Sequence, residues 1–161
     1  MPMFCALDVE PMLDGRQSPA ALKVRRGVGR LLREMGHGVV PELILPSGRR
    51  ADLITLGADG EIWIVEIKSC LADFRADSKW PQYKAYCDRL FFASTPEVGD
   101  IFPQGEGLIM TDGFEAEIIR PATVSRLAAP ARRTLTLRIA QTASRRLHEM
   151  EDPSPRIAVP N

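Results

Sequence analysis

The sequence predicts an α/β fold, an α+β sandwich in which helices flank a mixed central β-sheet. The chain has 161 residues, of which 45% are hydrophobic and 26% charged, which suits a single globular domain with one buried core. Helical and strand patterns alternate in the order helix, three strands, helix, strand, followed by further strands and a helix. No apolar run approaches the ~18 residues of a membrane span. The formal net charge is zero, so any anion-binding surface must come from the way in which charges are distributed.

The first helix is predicted from about Pro19 to Met35. Ser18 suits the N-cap, Pro19 the first helical position, and Gly36 the C-terminal stop. The apolar face is expected to carry Val24, Val28, Leu31 and Met35. The opposite face carries four cations, Lys23, Arg26, Arg30 and Arg33. These cations form either an ordinary solvated face or a stripe that contacts DNA phosphates.

Three strands are predicted next, at Val39–Leu45, Arg49–Leu56 and Glu61–Ser69. Turn residues separate them, because Pro46, Ser47 and Gly48 follow the first strand and residues 57–60 follow the second. The remaining predicted elements are a helix at Ala76–Arg89 with Pro81 near its first turn or at a kink, a strand at Leu90–Ser94, a hairpin of Gly107–Thr111 and Glu115–Ile119, and a helix at Ala131–Met150 with Leu135, Ile139, Ala143 and Leu147 on its apolar face.

The turn at residues 58–60 decides how the second and third strands pair. A three-residue loop with Gly60 in the left-handed conformation is the one we prefer. It places on one face the pairs Leu56 with Ile62, Ile54 with Ile64, Asp52 with Glu66, and Arg50 with Lys68. Directly opposed Cβ atoms lie about 4.5–5.5 Å apart. A two-residue loop would instead shift the register by one residue and turn the two acids to opposite faces.

The opposed acids allow two interpretations. Two adjacent carboxylates are unfavourable unless a cation joins them, and an oxygen-preferring ion such as Mg²⁺ would do so. In the simpler interpretation, Asp52 pairs with Lys68 and Arg50 with Glu66, as ordinary ion pairs at the end of a hairpin in a metabolic or regulatory domain.

Two sets of residues carry a resemblance to known families. Asp52, followed after thirteen residues by Glu66-Ile67-Lys68, resembles the PD-(D/E)XK nuclease motif, which that superfamily places on a β-hairpin within a restriction-endonuclease-like αβββαβ core. The segments at residues 61–69, 72–93 and 127–133 resemble the bacterial MmcB family of DNA repair proteins, and this resemblance covers roughly residues 19–150. Ala51 stands in place of the proline of the motif's name.

The resemblance implies which residues carry the chemistry. Asp52 and Glu66 would bind Mg²⁺, with Mn²⁺ as a substitute, and Lys68 would act beside them in hydrolysis of a phosphodiester. The superfamily's acid from the first helix is not clearly placed here, and Glu34 and Glu42 are the candidates for a third carboxylate. Gln82 and Lys79 are candidates for accessory roles, Gln82 because it lies four residues before Tyr86 in a spacing seen in RecB-like members.

The resulting expectation is a metal-dependent DNA endonuclease of DNA repair, with a non-catalytic nucleic-acid-binding or scaffolding module as the alternative. Its expected partners are duplex, branched or damaged DNA, proteins of a repair pathway, and a second copy of the chain in a homodimer. A cytoplasmic location and no membrane contact are expected. Residues 1–17 are predicted as a flexible arm, residues 18–150 as one nuclease-like domain, and residues 151–161 as a flexible tail.

Overall fold

The computed structural model describes residues 17–153 as one mixed sheet with helices on both faces. The elements are α1 Pro19–Glu34, β1 Gly38–Ile44, β2 Arg50–Leu56, β3 Ile62–Ile67, α2 Leu71–Ala76, a 3₁₀ helix Trp80–Tyr86, β4 Arg89–Ser94, β5 Gly107–Thr111, β6 Ala116–Arg120 and α3 Ala129–Glu151. The strand order in the sheet is the order along the chain. The pairs β3–β4 and β4–β5 are parallel and the other pairs antiparallel. The predicted α/β fold with a mixed sheet is confirmed, whereas the predicted arms lie almost wholly outside the described residues.

Helix α1 covers one face of the sheet. Ser18 Oγ accepts a hydrogen bond from the N–H of Ala21 at 3.2 Å, and Gly36 follows the helix with φ +84°, so both predicted helix ends are confirmed. Of the predicted apolar face, Val24 and Val28 are fully buried and Leu31 is half-buried against the same core, whereas Met35 was wrongly included because it is exposed. Leu32, which was not predicted, is also fully buried. The buried face includes Gly27 as well, where a Cβ would lie only 2.0 Å from Thr111 Oγ1.

Helix α3 and the 3₁₀ helix cover the other face of the sheet. Leu135 and Ile139 of α3 are buried there beside Tyr83 and strand residues such as Ile54. Ala143 and Leu147 were wrongly predicted to continue this apolar face, since both are exposed. The packed stretch of α3 ends early because the helix crosses the sheet toward its edge strand β1. Beyond that point polar contacts take over, as Arg146 donates hydrogen bonds to the main-chain carbonyls of Pro41 and Glu42.

The predicted helix at Ala76–Arg89 is wrong. The chain forms the short α2, breaks at residues 77–79, and continues as the 3₁₀ helix, while Arg89 already belongs to β4. Pro81 stands at the second position of the 3₁₀ helix, where its missing N–H removes no helical bond. The break is stabilised by the Asp77 carboxylate, which accepts a hydrogen bond from the N–H of Lys79 at 3.1 Å.

The hairpin of β2 and β3 has the predicted register. Leu56 pairs with Ile62 and Ile54 with Ile64. The N–H of Gly57 donates to the carbonyl of Glu61 at 2.9 Å, which closes a three-residue loop, and Gly60 has φ +84°. The later hairpin of β5 and β6 is also confirmed.

The buried carboxylate of Asp88 links strand β3 to α3 and to the segment before it. Asp88 lies just before β4 with its side chain fully buried. Its oxygens accept hydrogen bonds from the N–H groups of Ile62 and Leu127, both at 2.8 Å, and from two nitrogens of Arg132 at 2.7 Å. Burial opposes the charge, but the hydrogen bonds from Arg132 and from these backbone groups outweigh it and lower the pKa of Asp88 to about 2.

Replacing Asp88 is therefore expected to destabilise the fold strongly. In D88A the Arg132 guanidinium loses its anion and two backbone donors lose their acceptor, so the free energy of unfolding should fall by about 3–5 kcal/mol. Urea denaturation measures this change. D100A is the control, because Asp100 also pairs with an arginine, Arg120 at 2.6 Å, but is 41% exposed, and its loss should cost less than about 1 kcal/mol. Equal losses in the two variants would contradict this role of Asp88.

Candidate functional site

Two carboxylates meet where the paired strands β2 and β3 leave the hairpin. The N–H of Asp52 donates to Glu66 Oε1 at 3.2 Å, and the N–H of Ile67 donates to Asp52 Oδ2 at 2.8 Å. Each carboxylate thus accepts a backbone hydrogen bond from the opposite strand. Glu66 is only 3% exposed and Asp52 is half-buried. The hairpin register brings both predicted acids together on the face that α3 and the 3₁₀ helix cover.

The two carboxylates are electrostatically unfavourable neighbours. Burial, followed by the negative charge of Asp52, raises the pKa of Glu66 well above its ordinary value. Burial likewise raises the pKa of Asp52, although the hydrogen bond from Ile67 and the positive charges of Lys68 and Arg50 oppose this shift. A bound proton or a bound cation relieves the repulsion between the two groups.

Lys68 lies on β3's continuation, two residues after Glu66, and is 8% exposed. Its Nζ donates to Asp77 Oδ2 at 2.7 Å. Burial opposes the charge of Asp77, but the hydrogen bond and charge of Lys68 lower its pKa. The ion pair formed by Lys68 is therefore with Asp77, where the simpler interpretation had paired it with Asp52, and Arg50 approaches Glu42 at 3.8 Å.

Asp77 was not predicted as a site residue, because it was expected to lie near the start of a continuous helix at Ala76–Arg89. The break between α2 and the 3₁₀ helix is what turns its carboxylate toward Lys68. The available signal was its position inside residues 72–93, one of the segments that carry the family resemblance.

Tyr83 forms a wall of the site and was also missed. Its hydroxyl donates to the carbonyl of Arg50 at 3.0 Å, and the guanidinium of Arg49 lies 5.5 Å from its ring centroid. Burial, then the negative charges of Glu66 and Asp52, raise the pKa of Tyr83. An α-helix would have paired Gln82 with Tyr86, whereas three residues per turn direct Trp80, Tyr83 and Tyr86 inward and leave Gln82 exposed.

The two candidates for a third carboxylate are placed differently, since Glu42 lies on β1 close enough for its charge to raise the pKa of Asp52, whereas Glu34 lies at the end of α1. Glu34 is exposed at the C-terminal end of α1, which packs on the face of the sheet opposite the carboxylate pair. Glu42 has φ +52°, and this conformation changes the alternation of β1 so that Val40 and Leu43 face the same core. Its carboxylate approaches Arg25 at 3.9 Å as well as Arg50. Within residues 17–153 no group of three His, Cys, Asp or Glu side chains is arranged to hold a metal ion.

The oxygen atoms of the two carboxylates nevertheless suit a hard divalent cation. Asp52 and Glu66 each use one oxygen for a backbone hydrogen bond, and in the described part of the chain no donor contacts Asp52 Oδ1 or Glu66 Oε2. Carboxylate oxygens are the ligands that Mg²⁺ prefers, and such an ion keeps several of its waters. Burial, together with the negative charge of Asp52, raises the pKa of Glu66, and a cation bound by the two carboxylates would oppose this shift.

The predicted DNA-contact residues occupy a different surface. Lys23, Arg26, Arg30 and Arg33 are exposed on α1, which packs on the face of the sheet opposite the carboxylate pair. Lys79 and Gln82 are exposed beside the break that carries Asp77, and so lie on the same side as the pair.

Comparison with known proteins identifies the family. Residues 8–154 match a family described as DNA repair protein MmcB-like. The chain belongs to the MmcB-like family. A solved structure, the SPO1766 protein of unknown function from Silicibacter pomeroyi, is 38% identical, with a TM-score of 0.82, and the alignment covers 89% of this chain and 99% of that chain. No curated protein matches the chain.

This membership confirms the predicted resemblance to the MmcB family and connects the protein with DNA repair. The matched range contains Asp52, Glu66, Lys68 and Asp77, as well as the cations of α1. No helix in residues 17–153 combines the length and apolarity that crossing a bilayer requires.

The strain between the carboxylates predicts how stability depends on pH. Because the pKa of Glu66 is raised in the folded state, its ionisation costs stability as pH rises above the ordinary glutamate value of about 4.3. E66Q keeps an acceptor for the N–H of Asp52 and removes the charge. In the absence of divalent ions, it should be more stable than the parent by on the order of 1–2 kcal/mol near pH 8, and this gain should vanish near pH 4.

Denaturant unfolding at several pH values measures this difference. E106Q is the matched control, because Glu106 is equally buried but is paired with Lys84 at 2.5 Å, so neutralising it should lower stability. A loss of stability in E66Q near pH 8 would show that repulsion between the two carboxylates does not destabilise the folded state.

Proposed function

We propose that this protein is a metal-dependent endonuclease that hydrolyses phosphodiester bonds in DNA during repair. The observation that carries the proposal is the buried pair of Asp52 and Glu66 on one face of the β2–β3 hairpin, with Lys68 two residues beyond. Membership of the MmcB-like DNA repair family supports DNA as the substrate. The resemblance of Asp52 and Glu66-Ile67-Lys68 to the PD-(D/E)XK motif supports nuclease chemistry.

Asp52 and Glu66 are the proposed ligands of Mg²⁺, or of Mn²⁺ in its place. The cation supplies polarisation of the scissile phosphate and a more acidic bound water. The two side chains also orient each other, because each is held by a backbone N–H from the strand of the other. The geometry of the ligands is therefore fixed by the sheet itself.

Lys68 is proposed to stabilise negative charge that develops on the phosphate, or to orient the attacking water. A positioned ammonium group acts most strongly where water is largely excluded, and Lys68 is nearly buried. Asp77 holds the ammonium by a direct ion pair, and Tyr83 closes the site beside it while retaining its own proton. Lys79 and Gln82 are exposed next to this site and are proposed as accessory contacts to the DNA.

A non-catalytic DNA-binding or scaffolding module is the second candidate function. The observation that favours it is that no group of three His, Cys, Asp or Glu side chains within residues 17–153 is arranged to hold a metal ion, while the Glu42 carboxylate approaches Arg25 and Arg50. In this case the fold would present its basic residues to DNA and leave the backbone intact.

Cleavage of labelled DNA separates the two functions. The parent should cut at least one member of a panel of duplex, single-stranded, flap and junction substrates with Mg²⁺ or Mn²⁺. D52N, E66Q and K68M should each lower the rate by about 100-fold or more, because each removes a group that binds the cation or stabilises the transition state.

E117Q is the control for cleavage, since Glu117 is an exposed acid on β6 at the far edge of the sheet and its rate should stay unchanged. DNA binding by the parent without cleavage of any substrate would support the non-catalytic module. Equal cleavage by the parent and by all three site variants would reject the assigned residues.

The role of Asp77 has its own test in the cleavage reaction. D77N keeps the shape of the side chain but loses the ion pair with Lys68, so kcat should fall roughly tenfold while KM changes little. D77E should recover part of the rate, because it restores a carboxylate near the ammonium. Normal rates in D77N, or no difference between D77N and D77E, would rule out a positioning role for the Asp77 charge.

A further inference from the structure

A basic groove runs between α1 and the edge of the sheet. Its volume is about 380 Å³. Val39 and Leu53 line it from strands β1 and β2, and four arginines line it from α1, namely Arg25, Arg26, Arg30 and Arg33. No aspartate or glutamate of the described chain lines the groove. The groove is therefore basic along its α1 side and apolar at its floor.

The groove and the carboxylate pair lie on opposite faces of the sheet. Leu53 follows Asp52 in β2, and successive side chains of a strand point to opposite faces. Leu53 packs in the same cluster as Val24 and Val28 of α1, whereas the carboxylates face Tyr83. A straight ligand cannot contact both the groove and the carboxylate pair, because the sheet lies between them.

Most of the groove's positive charge is not neutralised within residues 17–153. Arg25 is already engaged, since it contacts Gln17 at 3.4 Å and Glu42 at 3.9 Å. Arg30 lies 5.8 Å from the ring centroid of Phe114, and no described acid pairs with it. Arg26 and Arg33 are exposed and have no ion pair in the same range. These last three guanidinium groups are available for an external anion.

The spacing of these three arginines fits a chain of phosphates. From Arg26 to Arg33 the helix rises by about 10 Å, at 1.5 Å per residue. Successive phosphates of one stacked strand advance by about 3.4 Å, so the arginines span roughly three nucleotides. Guanidinium planes also stack on unpaired bases, and the half-buried Val39 on the floor of the groove offers apolar contact to sugars and base faces. A duplex keeps its bases inside and would rest on the rim without reaching this floor.

We propose that the groove binds a single strand of nucleic acid and that the substrate therefore carries an unpaired arm. The first part stands on the groove alone, and only the second rests on the proposed function, which places another part of the same DNA at the carboxylate pair. An unpaired strand bends around the edge of β1 easily, whereas duplex DNA stays straight over about 150 base pairs. Forks, flaps and gapped duplexes meet this requirement.

Salt-dependent binding tests the groove without any need for cleavage. The binding of a short fluorescent oligothymidylate and of a short duplex is measured in EDTA at several salt concentrations. The triple variant R26Q/R30Q/R33Q should bind the single strand at least tenfold more weakly at low salt, and the slope of log K against log salt should shrink by about 2, because three phosphate contacts contribute roughly 0.7 each.

Two control variants make the result specific. R126Q/R133Q/R145Q removes the same charge from exposed arginines outside the groove, and its binding should change by less than about twofold. R26K/R30K/R33K keeps the charge and should retain the salt slope. An equal loss in the two glutamine variants, or an equal loss for the single strand and the duplex, would overturn the assignment of the groove.

Cleavage then tests the unpaired arm separately. If the parent cuts a forked substrate, R26Q/R30Q/R33Q should cut the fork at least tenfold more slowly while cutting any accepted plain duplex at the parent's rate. Unchanged cleavage of the fork would overturn the arm. Loss of single-strand binding together with no cleavage by the parent would uphold the groove while the proposed nuclease function fails.

Discussion

The pairing of β2 with β3 in a single register is the constraint on which the rest of this structure depends. The three-residue loop ending at Gly60 sets that register, and side chains alternate strictly along both strands. A slip of one residue would turn Asp52 and Glu66 to different faces and would also exchange the residues that pack under α1 with those that pack under α3. The same turn therefore determines both the core and the placement of the acids.

The hairpin supplies the acids, but an irregular segment completes the site around them. Asp77 and Tyr83 reach the pair from the broken stretch between α2 and β4, and a continuous helix there would have directed different side chains inward. Burial of two like charges costs stability, and such pairs of groups are found mainly at functional sites. The hydrogen bonds from the N–H groups of Asp52 and Ile67 limit that cost without removing it.

Local chemistry made much of this fold predictable. The Ser18 cap, the stop at Gly36, and the hairpin loop at Gly60 all depend on residues close in sequence, and each was predicted correctly. Tertiary contacts explain the errors. The packed face of α1 depends on Thr111, far along the chain, and the helix predicted through residue 77 is broken by contacts with Lys68. Asp52, Glu66 and Lys68 could be proposed from strand alternation, but Asp77 required knowledge of that break.

The link between Asp88 and Arg132 has a consequence for the protein's synthesis. The two residues are 44 positions apart, and the Leu127 N–H that also binds the carboxylate is nearly as distant. On the ribosome, β1 to β4 emerge first, while the guanidinium that neutralises Asp88 is still unmade or inside the exit tunnel. Burying this anion alone is costly, so the nascent sheet stays open at this point until the C-terminal helix arrives. Closure of the core around Asp88 therefore depends on synthesis of α3, which carries Arg132.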